Sequence, residues 1–340
     1  MSTLAEAPAQ TGTPPQRIDP PRETTTSWPL IDRIGYWLCW LVGIGLCAVA
    51  LSIVLIMFLK GVSALRLREF VESPKPSLHQ SQAGGFLDPL IGTFIVTAIG
   101  TLIAAPLGVG LAAWLSEYGR PSWLARIVES AIEMVAGVPS VVLAIFGIIL
   151  FARPFLGFLS QTAADGNVTG QSFLNAGIII SPLALPLVFG ATREGLSQLP
   201  RRTREASYAL GKTRATTIRR VLLPSIRPSI ASGVVLGMGR IIGDTAIIII
   251  VLGSTLKNEP VGNVPILRAL RGTGSTLSSY VYNDSPAGEG NAPQKAYAAA
   301  FVLLMIVLAL NALVTRLTNG SSRPTARSRG MRTRLGFGGI

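Results

Sequence analysis

Apolar runs long enough to cross a bilayer recur along the chain, separated by connectors of contrasting charge. A lipid core about 30 Å thick needs roughly 20 apolar residues in helix. The pattern predicts such spans near residues 37–59, 90–115, 127–151, 173–192, 230–252 and 296–317. In the first, Trp37 and Trp40 suit the water–lipid boundary. The second holds Gly92, Gly100, Gly108 and Ala112 for close helix contact, and Pro106, which predicts a kink. In the third, Gly137 and Pro139 mark a break or a tight packing point. Its Glu129 and Glu133 lie one turn apart on one face, as an interfacial pair answering arginines of neighbouring loops. Pro182 and Pro186 interrupt the fourth, and Arg240 and Asp244 stand well inside the fifth. The prolines either line a path or merely pack. The sixth, without glycine or proline, reads as peripheral, and the connector at 253–295 as irregular with a short surface helix at 264–270.

Residues 201–228, RRTREASYALGKTRATTIRRVLLPSIRP, break this pattern. From Arg193 to Arg227 there are nine basic residues against Glu194 and Glu205. Pro200 suits a helix start and Gly211 permits a turn. The expectation is two short helices, 201–210 and an amphipathic 213–223 closed by Pro224, lying at a membrane surface rather than crossing it.

Composition agrees. Only 14% of residues are charged and mean hydropathy is +0.49, against about a quarter charged in globular chains. A net charge of +13 taken alone suggests nucleic acid, but the basic residues cluster beside apolar spans, where retention of positive charge on the inner side places them. No nucleic-acid partner is expected. The fold class is an all-α integral membrane protein with six transmembrane helices, both termini cytoplasmic. Residues 1–27 read as a disordered arm, 28–89 as the first span and its extracytoplasmic connector, 90–317 as the core, and 318–340 as a basic cytoplasmic tail. Cys39 and Cys47, about 12 Å apart along one helix, are too distant to pair and read as small buried hydrophobes.

No catalytic apparatus is apparent. His79 sits in a polar connector as an ordinary surface residue. Gly211-Lys212-Thr213 lacks the upstream glycine of a phosphate loop, Ala206 standing there, and no strand precedes it. No cofactor or metal is implied, and if the chain moves a solute at a cost in energy, another polypeptide supplies that energy. Arg240 and Asp244, one turn apart, are placed to meet on one helix face. The arginine offers a planar donor fork suited to phosphate oxygens, which the acid could release or redirect; a static ion pair fixing helix packing is the other reading.

Glu205-Ala206-Ser207-Tyr208-Ala209-Leu210-Gly211, followed by Val221, Leu223 and Pro224, resembles the EAA loop of ABC importer permeases, with Ser207 where alanine is usual. The phrases GTFIVTAIGTLIAAPLGVGLAAWLSEYG, ESAIEMVAGVPSVV and GMGRIIGDTA resemble phosphate-specific importers, nearest to the PstA type. The resemblance implies an ATPase-coupling role for Glu205, Ala206, Ser207, Gly211, Leu223 and Pro224. It implies a substrate-path role for Arg240 and Asp244, the aspartate replacing a usual glutamate. The partners implied are a second permease of the PstC type, two ATPase subunits, an extracytoplasmic phosphate-binding protein and inorganic phosphate. A permease for sulfate, molybdate or another oxyanion, a transporter driven by an ion gradient, and a non-transporting scaffold are the alternatives.

Overall fold

The computed structural model describes residues 29–74, 84–119, 122–160, 168–253, 270–286, 288 and 292–319. Besides short 3-10 turns at Leu67–Phe70 and Pro154–Leu159, they form eleven longer helices: α1 (Leu30–Ala64), α2 (Leu87–Glu117), α3 (Trp123–Gly137), α4 (Ser140–Phe151), α5 (Phe173–Ser197), α6 (Arg201–Ala209), α7 (Arg214–Ser225), α8 (Arg227–Gly243), α9 (Ala246–Leu252), α10 (Leu277–Asp284) and α11 (Pro293–Asn319). Among the described residues, four helices are long and apolar enough to cross a membrane. Two sharply bent pairs, α3–α4 at 104° and α7–α8 at 73°, give up to six if each is counted as one span.

The described residues divide into two units, one up to Leu55 and one from Ile56 onward. In the first, every described residue is exposed, Cys39 and Cys47 included, so the cysteines are free thiols on the helix surface and not the buried residues expected.

The second unit is built around α5. Phe173, Ile180, Val188 and Leu196 along it are at most 2% exposed. Its close neighbours are α2 and α8, and small residues allow the approach. A Cβ on Gly108 of α2 would lie 2.9 Å from the Val188 side chain, and one on Gly233 of α8 would lie 2.7 Å from Ala191. Both are closer than real Cβ contacts, so these glycines set the helix separation. The buried hydroxyls of Thr97 and Thr192 donate back to carbonyls four residues earlier, which satisfies them without a partner helix. Pro106, Pro182 and Pro186 all lie inside continuous helices. The expected interruption of the fourth span is absent.

Two spans do break. The third bends by 104° between α3 and α4, at Val138–Pro139, as the Gly-x-Pro pattern predicts. The fifth stops at Gly243 and restarts at Ala246, where a continuous helix was expected. The 253–295 connector is not wholly irregular. It contains α10, whose capping box pairs the Thr276 and Ser279 side chains with each other's backbone N–H groups. The expected surface helix at 264–270, like His79, lies outside the described residues, apart from Leu270.

Asp284, at the end of α10, is 1% exposed. Burial pushes its carboxyl above the ordinary carboxylate value, while the Tyr280 hydroxyl and the charge of Lys295 oppose the rise. Glu69, also raised mainly by burial, shifts the same way. A raised carboxyl keeps more protons folded than unfolded, so stability falls as pH rises from the ordinary value through the raised one. Melting of the solubilised protein followed across acidic to neutral pH should show this fall, and Asp284→Asn should reduce it, leaving the share due to Glu69.

Candidate functional site: a basic hairpin and a broken span

The basic stretch folds as the α6–α7 hairpin. α6 ends in a Schellman turn: Gly211 N–H donates to the Tyr208 carbonyl at 2.9 Å and Lys212 N–H to that of Ser207 at 3.3 Å. Gly211 has φ +72° there, a left-handed conformation, and no atom lies within 4 Å of where its Cβ would be. Backbone geometry, not space, demands glycine. Thr213 then caps α7 by accepting from Thr216 N–H. A bond of 2.8 Å between the Ser207 and Thr217 hydroxyls, both buried, staples the two arms. Ser207 in place of alanine thus supplies one half of an internal clasp. Before Pro224, which has no N–H to donate, α7 widens into a π-helical turn at Ile218–Leu222.

The hairpin has two faces. Leu222 and Ile226 pack with Leu196 of α5 and Ala113 of α2, and Leu223 joins this cluster from its edge. The other face carries Glu205, Ala206, Leu210, Gly211 and Lys212, all exposed, with Leu210 at the tip 78% exposed. An apolar tip ringed by charge is a docking surface in form.

Electrostatics fix the hairpin to the spans. Glu117, in the last turn of α2, accepts from Arg204 Nε at 2.8 Å, with a side chain 6% exposed. The Arg204 Nη1 and Nη2 atoms donate to the Leu199 and Leu196 carbonyls at 3.3 and 3.0 Å. Arg214 Nη1 donates to the Glu117 backbone carbonyl at 3.2 Å, and the Tyr208 hydroxyl makes a long 3.5 Å bond to the Glu117 carboxylate. Sequence reasoning missed Glu117. The available signal was a carboxylate in a helix's last turn, where the helix dipole disfavours it unless a cation answers. Nearby, Glu129 pairs with Arg193, as expected of an interfacial acid, whereas Glu133 is exposed.

In the fifth span, Asp244 and Arg240 do not meet. Among the described residues, no ion pair joins them. Asp244 is 6% exposed, and its Oδ1 accepts from Ile247 N–H at 3.0 Å in the first turn of α9. Its carbonyl accepts from Ser278 Oγ at 3.2 Å. The one-turn spacing assumed an unbroken helix. Here the aspartate caps the restart instead, a position its short side chain favours. Arg240 is exposed on the last turn of α8.

Long buried helices, small-residue contacts, bent spans and a basic surface hairpin define an all-helical, multi-pass integral membrane protein. Residues 104–323 match the family described as binding-protein-dependent transport system inner membrane component, and the chain belongs to that family. It is the non-catalytic membrane permease component of an ABC importer, resident in the inner membrane. It is 30% identical over 237 residues to the phosphate transport system permease protein PstC of Xylella fastidiosa (strain 9a5c), spanning 66% of this chain and 69% of that protein. It is 27% identical over 281 residues to the probable ABC transporter permease protein YqgI of Bacillus subtilis (strain 168), spanning 78% of this chain and 90% of that one. The fold is shared with a chain of the bacterial alginate ABC transporter crystallised with its alginate pentasaccharide-bound periplasmic protein. The TM-score is 0.57 at 19% identity, over 84% of this chain and 97% of that one. The resemblance to the PstA type and the relatives bearing the PstC name meet at the level of the permease, which is the level established.

A left-handed residue other than glycine costs about 1–2 kcal/mol. Gly211→Ala should therefore loosen the hairpin turn, read as roughly tenfold faster hydrogen exchange at the amides of the substituted residue and Lys212, with the spans unaffected.

Proposed function

We propose that the chain is one of two unlike permease subunits of an importer that carries inorganic phosphate into the cytoplasm. The observation that carries the reading is Arg240. It is exposed at the end of α8, beside the break at Asp244, and makes no ion pair or side-chain hydrogen bond among the described residues. A guanidinium so placed presents its donor fork to an oxyanion. The phosphate-named relatives support the choice of anion.

In this reading the basic hairpin and both chain ends face the cytoplasm, as the charge distribution favours. An ATPase subunit receives the exposed Leu210 tip with Glu205, Ala206 and Gly211. The buried Ser207 and the half-buried Leu223 and Pro224 hold the hairpin's shape. A second permease of the PstC type completes the path, a second ATPase subunit docks on that chain, and an extracytoplasmic protein delivers phosphate. ATP binding and hydrolysis then alternate access to the path. Asp244 fixes the helix break that leaves Arg240 at its edge.

The test is the complete complex reconstituted in vesicles. Phosphate should be taken up in preference to sulfate and molybdate, and Arg240→Gln should lower uptake at least about tenfold with assembly intact, the loss of about 1.4 kcal/mol or more in the path. Glu205→Arg should reduce co-purification of the ATPase. Preferential sulfate or molybdate uptake overturns the phosphate assignment, and full uptake by Arg240→Gln overturns the role of the arginine.

A further inference from the structure

We infer that Glu117 is the positioning residue through which movement of the hairpin reaches the spans, with Arg204 as its counterpart. The inference rests on the reading that the hairpin docks an ATPase. Glu117 and Arg204 lie 87 positions apart in sequence yet share a 2.8 Å ion pair, and the glutamate side chain is only 6% exposed. One guanidinium engages three elements. It belongs to α6, its Nε binds the carboxylate of α2, and its Nη2 binds the Leu196 carbonyl in the last turn of α5. The second arm adds a contact of its own, from Arg214 Nη1 to the Glu117 carbonyl.

Two features separate this pair from surface charge decoration. The carboxylate sits at a helix end that repels it, so its tolerance depends on the arginine. The Glu117 carboxylate is largely shielded from water, so losing its partly exposed arginine would leave a poorly compensated charge, and the contact resists being pulled apart. The Ser207–Thr217 staple makes the two arms move together. Displacement of the exposed tip is therefore delivered to the ends of α2 and α5, whose glycine-set packing continues into α8 and the Arg240 turn. A hydrophobic contact alone, such as Leu222 against Leu196, could slide; a fork that ties α6 to both α2 and α5 cannot do so without breaking bonds.

The experiment places one thiol reporter in α2 by Ile91→Cys, a position 42% exposed in the second turn of the helix, far from the hairpin and clear of the hydrocarbon midplane, where a thiol does not ionise. The two native cysteines are removed by Cys39→Ser and Cys47→Ser, so that the reporter is the single thiol of the chain. The complete complex, with its ATPase, is held in lipid discs. The labelling rate of the reporter is compared without nucleotide and with ATP plus vanadate. The chain with native Glu117 and Arg204 should show a change of about threefold or more, a population shift of the spans. Glu117→Gln should keep the ATPase bound and ATP hydrolysis within about twofold, yet lose most of that change. Arg204→Lys keeps the charge but not the fork, and should weaken the change too. A full labelling change in either assembled variant overturns the inference, as does an unchanging rate when both residues are native. Loss of assembly in both variants also overturns it, because the pair is then a brace for the fold. If no ATPase accompanies the native chain, the docking reading fails instead, and the two failures are distinguishable.

Discussion

Lipid offers no hydrogen bonds, and that constraint bears hardest on the break in the fifth span. A helix crossing hydrocarbon satisfies its own backbone, and each interruption exposes groups that cost several kcal/mol apiece unless protein answers them. At Asp244 the answer comes from side chains. The carboxylate takes the Ile247 N–H, and Ser278 of α10 donates to the Asp244 carbonyl. Thr93 of α2 in turn accepts the Leu277 N–H at the head of α10. The break in the fifth span is thus completed by Asp244 itself and by contacts from α10, which α2 supports in turn. An exposed Arg240 at the end of α8 follows from that arrangement.

The same accounting applies at the hairpin end. α2 and α5 both finish there, each leaving carbonyls without helical partners. Arg204 supplies the Leu196 and Leu199 carbonyls, and Arg214 supplies that of Glu117. The arginines that look like a charge anomaly in the sequence are in part helix caps for the spans. Their positions fix the hairpin to particular helix ends.

Much of this is legible in the sequence because hydrophobic length and turn chemistry are local. The apolar runs mark the spans, Gly137 and Pro139 mark the 104° bend, and Gly211 marks the turn of the hairpin. What depends on distant partners is not legible. Glu117 looks like the polar end of a span because its arginine lies 87 residues on. α10 looks like loop because Ser278, Ser279 and Asp284 resemble solvent-bound residues, yet each is buried against other elements. The Arg240–Asp244 spacing misleads for a related reason: four residues make one turn only if the helix continues, and a capping aspartate is itself a reason for it to stop.

The hairpin and the break lie at opposite ends of α2, which is why that helix matters to both. Its Thr93 supports the α10 segment that bonds Asp244, and its Glu117 holds the hairpin. Between them Gly100 and Gly108 keep α2 against its neighbours, a Cβ at Gly100 meeting Ile241 at 2.9 Å, one residue beyond Arg240. Close-packed interiors pass displacement on rather than absorbing it. A shift of α2 along its axis would thus act on the Asp244 break twice, through the Thr93 bond and through the Ile241 contact. One continuous helix therefore carries both the contact that holds the hairpin and the contacts that support the break in the fifth span.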